Sequence, residues 1–282
     1  MDNPALIVDE VVRQYRAAPI DLLGRNDGEG EWHYLNHLKS TYVDTVQSVH
    51  ERLGVAPGNG ARKHVLEIGA YLGVVSLSLK RLGFDVTAQD IPDFMGNPRL
   101  QELYRRAGVN FAIANLRDHK LPHADGTFDA VVMCEVLEHL NFNPVPVLLE
   151  INRVLKTGGV LYLALPNLAR FTNRFKLALG KSPYTPVDAF FAQLSDQGNM
   201  IVGIHWREYT LAEVRQLLER LGFVVERQMY YDFEDRNQLT LAKELIRRVL
   251  YALSASFKPG QATWARKARC PELKLHFSDA TR

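Results

Sequence analysis

Glu67, Gly69, Gly73 and Asp90 stand as E-x-G-x-x-x-G followed by a second acid. Glycines at such spacing let a backbone approach a ligand closely, and Gly69 can adopt a positive φ that other residues avoid. An acid placed like Asp90 can accept two hydrogen bonds from the hydroxyls of a ribose. His139 and His205 add two groups that titrate near neutrality and can take a proton from a hydroxyl nucleophile. Each also has a structural reading: His139 orients a loop or caps a helix, and His205 ties down the segment before it. The two cysteines, Cys134 and Cys270, form no redox pair and no zinc spacing, so no metal is expected. Cys134 reads as core packing, and Glu138 as an acid on a helix surface.

The elements around these residues explain their placement. His64 to Ile68 is a short apolar run, as in a buried parallel strand. Gly69 to Gly73 is a tight turn, Val74 to Leu82 has the apolar spacing of a helix, and Gly83 stops it. Asp85 to Ala88 is a second strand with Asp90 at its carboxyl end. Strand, glycine turn, helix, strand and acid make a βαβ nucleotide-binding unit. Further strands are expected at Asn110–Ala114, Phe128–Cys134, Val160–Leu165, Phe223–Tyr231 and Ala262–Ala268. Helices are expected at Asn3–Ala17, Trp32–Leu53, Pro98–Ala107, Pro144–Leu155, Leu211–Leu221 and Gln238–Phe257. Thr210 and Glu213 form a capping box. Tyr34, His37 and Lys39, on the second helix, are candidates to reach a ligand cleft.

At 282 residues, with 46% apolar and 23% charged residues and a net charge of +2, the chain reads as one large α/β domain with additions. No segment has the length and apolarity of a membrane span and none resembles a signal peptide, so a cytoplasmic location is expected. The overall charge points to no nucleic-acid partner. It is unevenly placed: Arg236 to Arg282 holds ten Lys and Arg against three acids. Within that stretch Leu239, Ala242, Ile246, Val249, Leu250, Leu253 and Phe257 form an apolar stripe with Lys243, Arg247, Arg248 and Lys258 beside it. The stripe packs on the sheet, with a solvated basic rim, or lies on an anionic membrane as a peripheral contact through 238–257.

The E-x-G-x-x-x-G turn resembles motif I of the class I S-adenosylmethionine (SAM) methyltransferases, with Tyr71 where the middle glycine usually stands. The string LPHADGTFDAVVMCEVLEHL, Leu121 to Leu140, matches the family's "LP-x-x-D-x-x-F-D-x-V" and following "E-V-L-E-H-L". Gly158-Gly159, Pro166-Asn167 and the segment HWREYT continue the likeness to bacterial members, which often accompany polysaccharide or natural-product biosynthesis.

The resemblance implies an α/β, seven-stranded Rossmann-like sheet, mostly parallel with its last strand antiparallel. It implies an N-terminal helical cap over residues 1–62, a SAM-binding core over 63–282, and an insertion after strand five, 168–205, that recognises the acceptor. Glu67, Gly69, Ala70, Tyr71 and Gly73 would cradle the methionine part, and Asp90 would hold the ribose. Ile91 would pack on adenine, Asn115 and Leu116 would meet its edge, and Glu135 would lie near the methionine tail. His139 and His205 become candidate bases. The implied function is in-line methyl transfer, O-methylation of a sugar, glycolipid or small metabolite. A catalytically silent SAM-binding scaffold is one alternative. An NAD-dependent oxidoreductase is another, though the G-x-G-x-x-G fingerprint is missing. The sequence leaves the oligomeric state unspecified.

Overall fold

In the computed structural model, residues 3–22, 27–54, 61–195, 203–232 and 241–271 are described. Asn3 caps the first helix, α1 (Pro4–Ala17): its side chain accepts from the Ala5 N–H, and Pro4 occupies the first turn, where its missing donor costs nothing. The expected single helix Trp32–Leu53 is two. Helix α2 (Glu29–His37) starts earlier, after Gly28 in the left-handed region, and α3 (Lys39–Leu53) follows a break at Leu38, where ψ is near zero. The break leaves α3 packed along α1 and brings α2 to the rim of a cleft. Lys39 does not reach that cleft; it pairs with Asp9 on α1 at 2.9 Å.

The chain then alternates strands and helices: β1 (His64–Ile68), α4 (Val74–Arg81), β2 (Asp85–Asp90), α5 (Pro92–Met95), α6 (Pro98–Ala107), β3 (Asn110–Ile113), β4 (Phe128–Cys134), α7 (Val145–Val154) and β5 (Leu155–Pro166). The segment after β5 carries α8 (Phe171–Ala178) and α9 (Asp188–Ser195). It is followed by α10 (Leu211–Arg220), β6 (Phe223–Tyr231), α11 (Leu241–Leu253) and β7 (Gly260–Lys267). The capping box at Thr210 and Glu213 opens α10.

The strands form a seven-stranded sheet in the order β3-β2-β1-β4-β5-β7-β6. Only β7 runs against the rest; it pairs antiparallel with both β5 and β6. Alternate residues face opposite sides. Ala130, Val132, Tyr162 and Ala164 join one core with α1, α3 and α4. Val131, Met133, Leu161 and Leu163 join the other, with α7 and α10. Connections leave β1 toward β2 on one side and the sheet resumes at β4 on the other. This reversal opens a crevice beyond the carboxyl ends of β1 and β4, the usual place for a ligand in such sheets.

The helix expected over Gln238–Phe257 is α11 from Leu241, ending at Leu253; residues 238–240, with Leu239 of the expected stripe, lie outside the described residues. Ser254 is extended and its Oγ accepts from the Ser256 N–H, starting a separate short turn, Ala255–Phe257. Nor does the stripe pack on the sheet. Ile246, Val249 and Leu253 are each more than half exposed, whereas Arg247 is buried against Asp232 and Glu244. Among the described residues, no helix is long and apolar enough to cross a membrane.

Candidate active site

The crevice holds a cleft of about 920 Å³, within the range of small-molecule sites. It brings together Glu67, Gly69, Ala70, Tyr71, Asp90, Ile91, Asn115, Leu116, Glu135, His139 and His205. Gly73 is not at its surface. A Cβ there would lie 2.2 Å from the Tyr104 hydroxyl, so Gly73 serves close packing behind the turn. Tyr34 and His37 of α2 also line the cleft, as do Arg170, Thr172 and Gly203 from the segment after β5.

The turn after β1 leaves no room for a side chain at Gly69. Gly69 has φ +76°, and a Cβ would sit 2.2 Å from Val136 Cγ2. Tyr71 holds a left-handed φ of 49° without being glycine, a conformation that costs energy and persists where the surroundings enforce it. Two contacts enforce it here. Its N–H donates to Asp90 Oδ2 at 2.6 Å, and its ring packs edge-on between Tyr34 and Phe94. Glu135 is also left-handed, at φ 54°, where β4 ends in the cleft.

Desolvation raises Glu67, Asp90, Glu135 and Glu138, which line or underlie the cleft. Glu67 is pushed up to about 8 by burial, against the Ser76 hydroxyl and N–H that both donate to its Oε2. Asp90 is pushed to about 6, against the Tyr71 and Ile91 N–H groups, one on each oxygen. Glu135 is pushed to about 7, against the Tyr231 hydroxyl that donates to its Oε1 at 3.1 Å. Glu138 is not a surface acid: it is fully buried, and neither of its oxygens has a hydrogen-bond partner among the described residues. Burial first, and the Glu135 charge second, carry Glu138 well above the carboxylate range. The Glu135 carboxylate beside it therefore favours the protonated form of Glu138.

The two histidines meet edge-on, their ring centres 4.9 Å apart, in different settings. His139 Nδ1–H donates to the Ile204 carbonyl at 2.9 Å, leaving Nε2 as an acceptor. Burial and the neighbouring His205 lower it to about 4, although the Ile204 bond opposes this. His139 is therefore neutral at pH 7. His205 Nδ1–H donates to Glu208 Oε1 at 3.0 Å. Glu208 is buried, held in a fork by Arg170 and bonded by Asn173 at 3.0 Å. Burial works against the Glu208 charge, but the His205 bond and Arg170 outweigh it and hold the carboxyl below its usual range. The segment also clasps the loop after β4 through its main chain: the Trp206 and Arg207 N–H groups donate to the Glu138 carbonyl at 2.8 and 3.3 Å.

Sequence reading missed Glu208, Arg170 and Asn173 as partners of His205. The H-x-x-E spacing of His205 and Glu208 was the local signal available; Arg170, 38 residues before Glu208, left none. Glu138, His139 and His205 also bring ligand-type atoms within 4.8 Å of one another, close enough to hold a cation. Asn115 turns its Oδ1 to the Arg117 N–H, closing the short turn that carries Leu116. Cys134 is a half-buried thiol in the cleft wall, 3.7 Å from the Thr45 hydroxyl, and desolvation pushes it up, away from reactivity.

The family model described as "Methyltransferase domain" matches residues 66–163. A ubiquinone biosynthesis O-methyltransferase of Xanthomonas euvesicatoria pv. vesicatoria (strain 85-10) is 30% identical over 218 residues, 76% of this chain and 81% of that protein. The chain belongs to the SAM-dependent methyltransferases. The protein of the same description from Xanthomonas oryzae pv. oryzae (strain PXO99A) is 35% identical over 159 residues; that match spans 62% of its length and 56% of this chain. A SAM-dependent methyltransferase from Archaeoglobus fulgidus has the same fold, with TM-score 0.54 at 16% identity over 84% of this chain and 99% of that one. So does a chain of the complex between the Haloferax volcanii Trm112 methyltransferase activator and a methyltransferase, with TM-score 0.55 at 18% identity over 83% and 93%. Membership decides against the oxidoreductase alternative and names the cofactor, SAM. The methyltransferase cleft fits that cofactor: Gly69 leaves no space for a Cβ, the Asp90 oxygens each retain an acceptor site, and the desolvated carboxyls favour a cationic ligand.

Proposed function

We propose that the chain is a SAM-dependent O-methyltransferase acting on a hydroxyl of a small metabolite, a sugar or the glycan head of a glycolipid, with His205 as its general base. The observation that carries this is the His205–Glu208–Arg170 relay opening into the same cleft as the turn after β1 and Asp90. The description of the Xanthomonas relatives as O-methyltransferases supports oxygen as the acceptor atom.

Bound in the cleft, SAM supplies an electrophilic methyl group on a sulfonium. Asp90 would accept from the ribose hydroxyls, Ile91 would pack on the adenine, and Asn115 and Leu116 would meet its edge. Glu67, Gly69, Ala70, Tyr71 and Glu135 would surround the methionine part. His205 takes the acceptor hydroxyl's proton at Nε2, and Glu208 stabilises the imidazolium that forms. His139, neutral, uses its Nε2 to align the hydroxyl. Helices α1–α3 act as the cap, with Tyr34 over Tyr71. Holding the nucleophile aligned supplies much of the acceleration.

Calorimetric titration with SAM, S-adenosylhomocysteine and NAD, followed by labelled-methyl transfer to a panel of phenols and sugars, tests this reading. Asp90→Ala is expected to weaken SAM binding by about 1.5–3 kcal/mol, the loss of hydrogen bonds to a charged group. Unchanged affinity in the folded variant would sink the assignment of the ribose site. A wild-type chain that binds SAM but transfers no methyl to any of the panel would favour the scaffold alternative.

A pH dependence follows from Glu67. In the free protein its carboxyl keeps a proton up to about pH 8, and a cation bound beside it favours the charged form. Binding then releases a proton, so SAM affinity rises as the pH approaches about 8 from below. Calorimetry in buffers of different ionisation enthalpy reads the release directly; proton uptake, or affinity flat across the window, would contradict it.

The Glu138–His139–His205 grouping favours a second reading, in which a divalent cation there orients the acceptor oxygen. Turnover abolished by a chelator and restored by magnesium would select it over the histidine base.

A further inference from the structure

Two helices near the mouth of the cleft are inside out. On α11, Leu241, Leu245, Val249 and Leu253 recur every fourth residue, a single line along one face. Their exposures are 92%, 64%, 53% and 74%. The face turned to the protein instead carries Arg247. On α8 and the turn after it, Phe175, Leu177 and Leu179 are each more than half exposed, while the buried residue is Asn173. The two adjoin. Phe171 of α8 stacks on Phe175 and meets Phe257 edge-on at 5.5 Å, just beyond α11, and Arg174 lies over the Phe257 ring.

A soluble surface rarely leaves this much apolar area uncovered without a use. Its rim is cationic. Arg174, Lys176 and Lys181 are exposed and pair with no carboxylate among the described residues, and Arg248 is exposed beside the α11 stripe. The described acids of these two segments are Asp188 and Glu244, and Glu244 is taken by Arg247 and Arg248. A two-fold dimer through this face would bring two cationic rims together, because both partners of such an interface present the same patch. An anionic surface meets both features at once.

We propose that α8 and α11 together are a docking face for an anionic lipid bilayer, the apolar residues entering its headgroup boundary and the cations engaging lipid phosphates. Arg170 and Thr172, at the base of α8, line the cleft, so the docked face lies beside the site's entrance. No step of methyl transfer is part of this inference.

The test is co-sedimentation of the full chain with phosphatidylcholine vesicles, with and without phosphatidylglycerol. Binding should be at least about tenfold tighter with phosphatidylglycerol and should fade with salt, since each near-surface cation contributes roughly fivefold. Leu245→Glu/Val249→Glu should lower it about tenfold or more, and Lys176→Glu/Lys181→Glu should remove most of its salt sensitivity. These positions are exposed, so circular dichroism and SAM affinity should match the wild type. No sedimentation with phosphatidylglycerol at low salt would overturn the proposal, as would undiminished binding of Leu245→Glu/Val249→Glu. Lipid-free self-association abolished by that pair would overturn it too, and assign the face to a second copy. Neither cofactor turnover nor an acceptor enters the assay, so its outcome is independent of the methyltransferase reading.

Discussion

Replacing His205 with Ala is expected to lower kcat about 10²–10⁴-fold while SAM affinity stays at the wild-type level, the range for loss of a positioned general base. The expectation rests on the pairing of His205 with Glu208. Its Nδ1–H is committed to a carboxylate that Arg170 and Asn173 hold from the far side, so the lone pair at Nε2 is the one available to a substrate proton. Glu208→Gln keeps the shape but removes the charge that stabilises imidazolium. It should cost less than His205→Ala. His139→Ala should be milder, because a ring held near pKa 4 is a poor base at neutrality and acts by alignment. The readout is transfer of labelled methyl from SAM to the best acceptor of the panel. Full turnover by His205→Ala would show that proximity alone, or another base, carries the reaction.

Gly69→Val is expected to reduce SAM affinity by two orders of magnitude or more and to lower the melting temperature. Two costs combine. A β-branched residue at φ +76° is a conformational outlier, and left-handed backbone costs L residues about 1–2 kcal/mol. The new Cβ also sits 2.2 Å from Val136 Cγ2, and overpacking costs about 1–3 kcal/mol. The double variant Gly69→Ala/Val136→Ala separates the costs: it removes the clash, keeps the backbone penalty, and should recover part of the affinity. Wild-type titration curves for Gly69→Val would mean that the turn after β1 does not contact the cofactor.

What could be read beforehand divides along the range of the interactions. The unit from His64 to Asp90 was legible because its signals are local: an apolar run, glycines at a turn, a helical period and an acid at a strand end. The break at Leu38 was not, since Trp32, Leu35, Tyr42, Val46 and Val49 keep a helical period straight through it. Glu138 read as surface because no local pattern tells that the loop after β4 is covered by Trp206 and Ile204, more than sixty residues on. The inversion of α11 is the plainest case. Its period is correct, but the side that faces inward carries Arg247, which pairs with Asp232 just past the end of β6.

The clasp between the loop after β4 and the segment before α10 has a consequence for how such a protein can diversify. On the segment's side its joints are the Ile204 carbonyl and the Trp206 and Arg207 N–H groups, all main-chain atoms. Main-chain joints place little demand on side-chain identity. The described residues between Asn167 and Ile204, apart from Arg170 and Asn173, which hold Glu208, and Thr185, whose hydroxyl accepts from the His205 N–H at 3.3 Å, can therefore vary with little effect on either histidine. The arrangement behaves as a socket for interchangeable inserts. A foreign segment spliced in, with Arg170, Asn173, Thr185 and the stretch Ile204–Glu208 kept, would inherit His205 already in position.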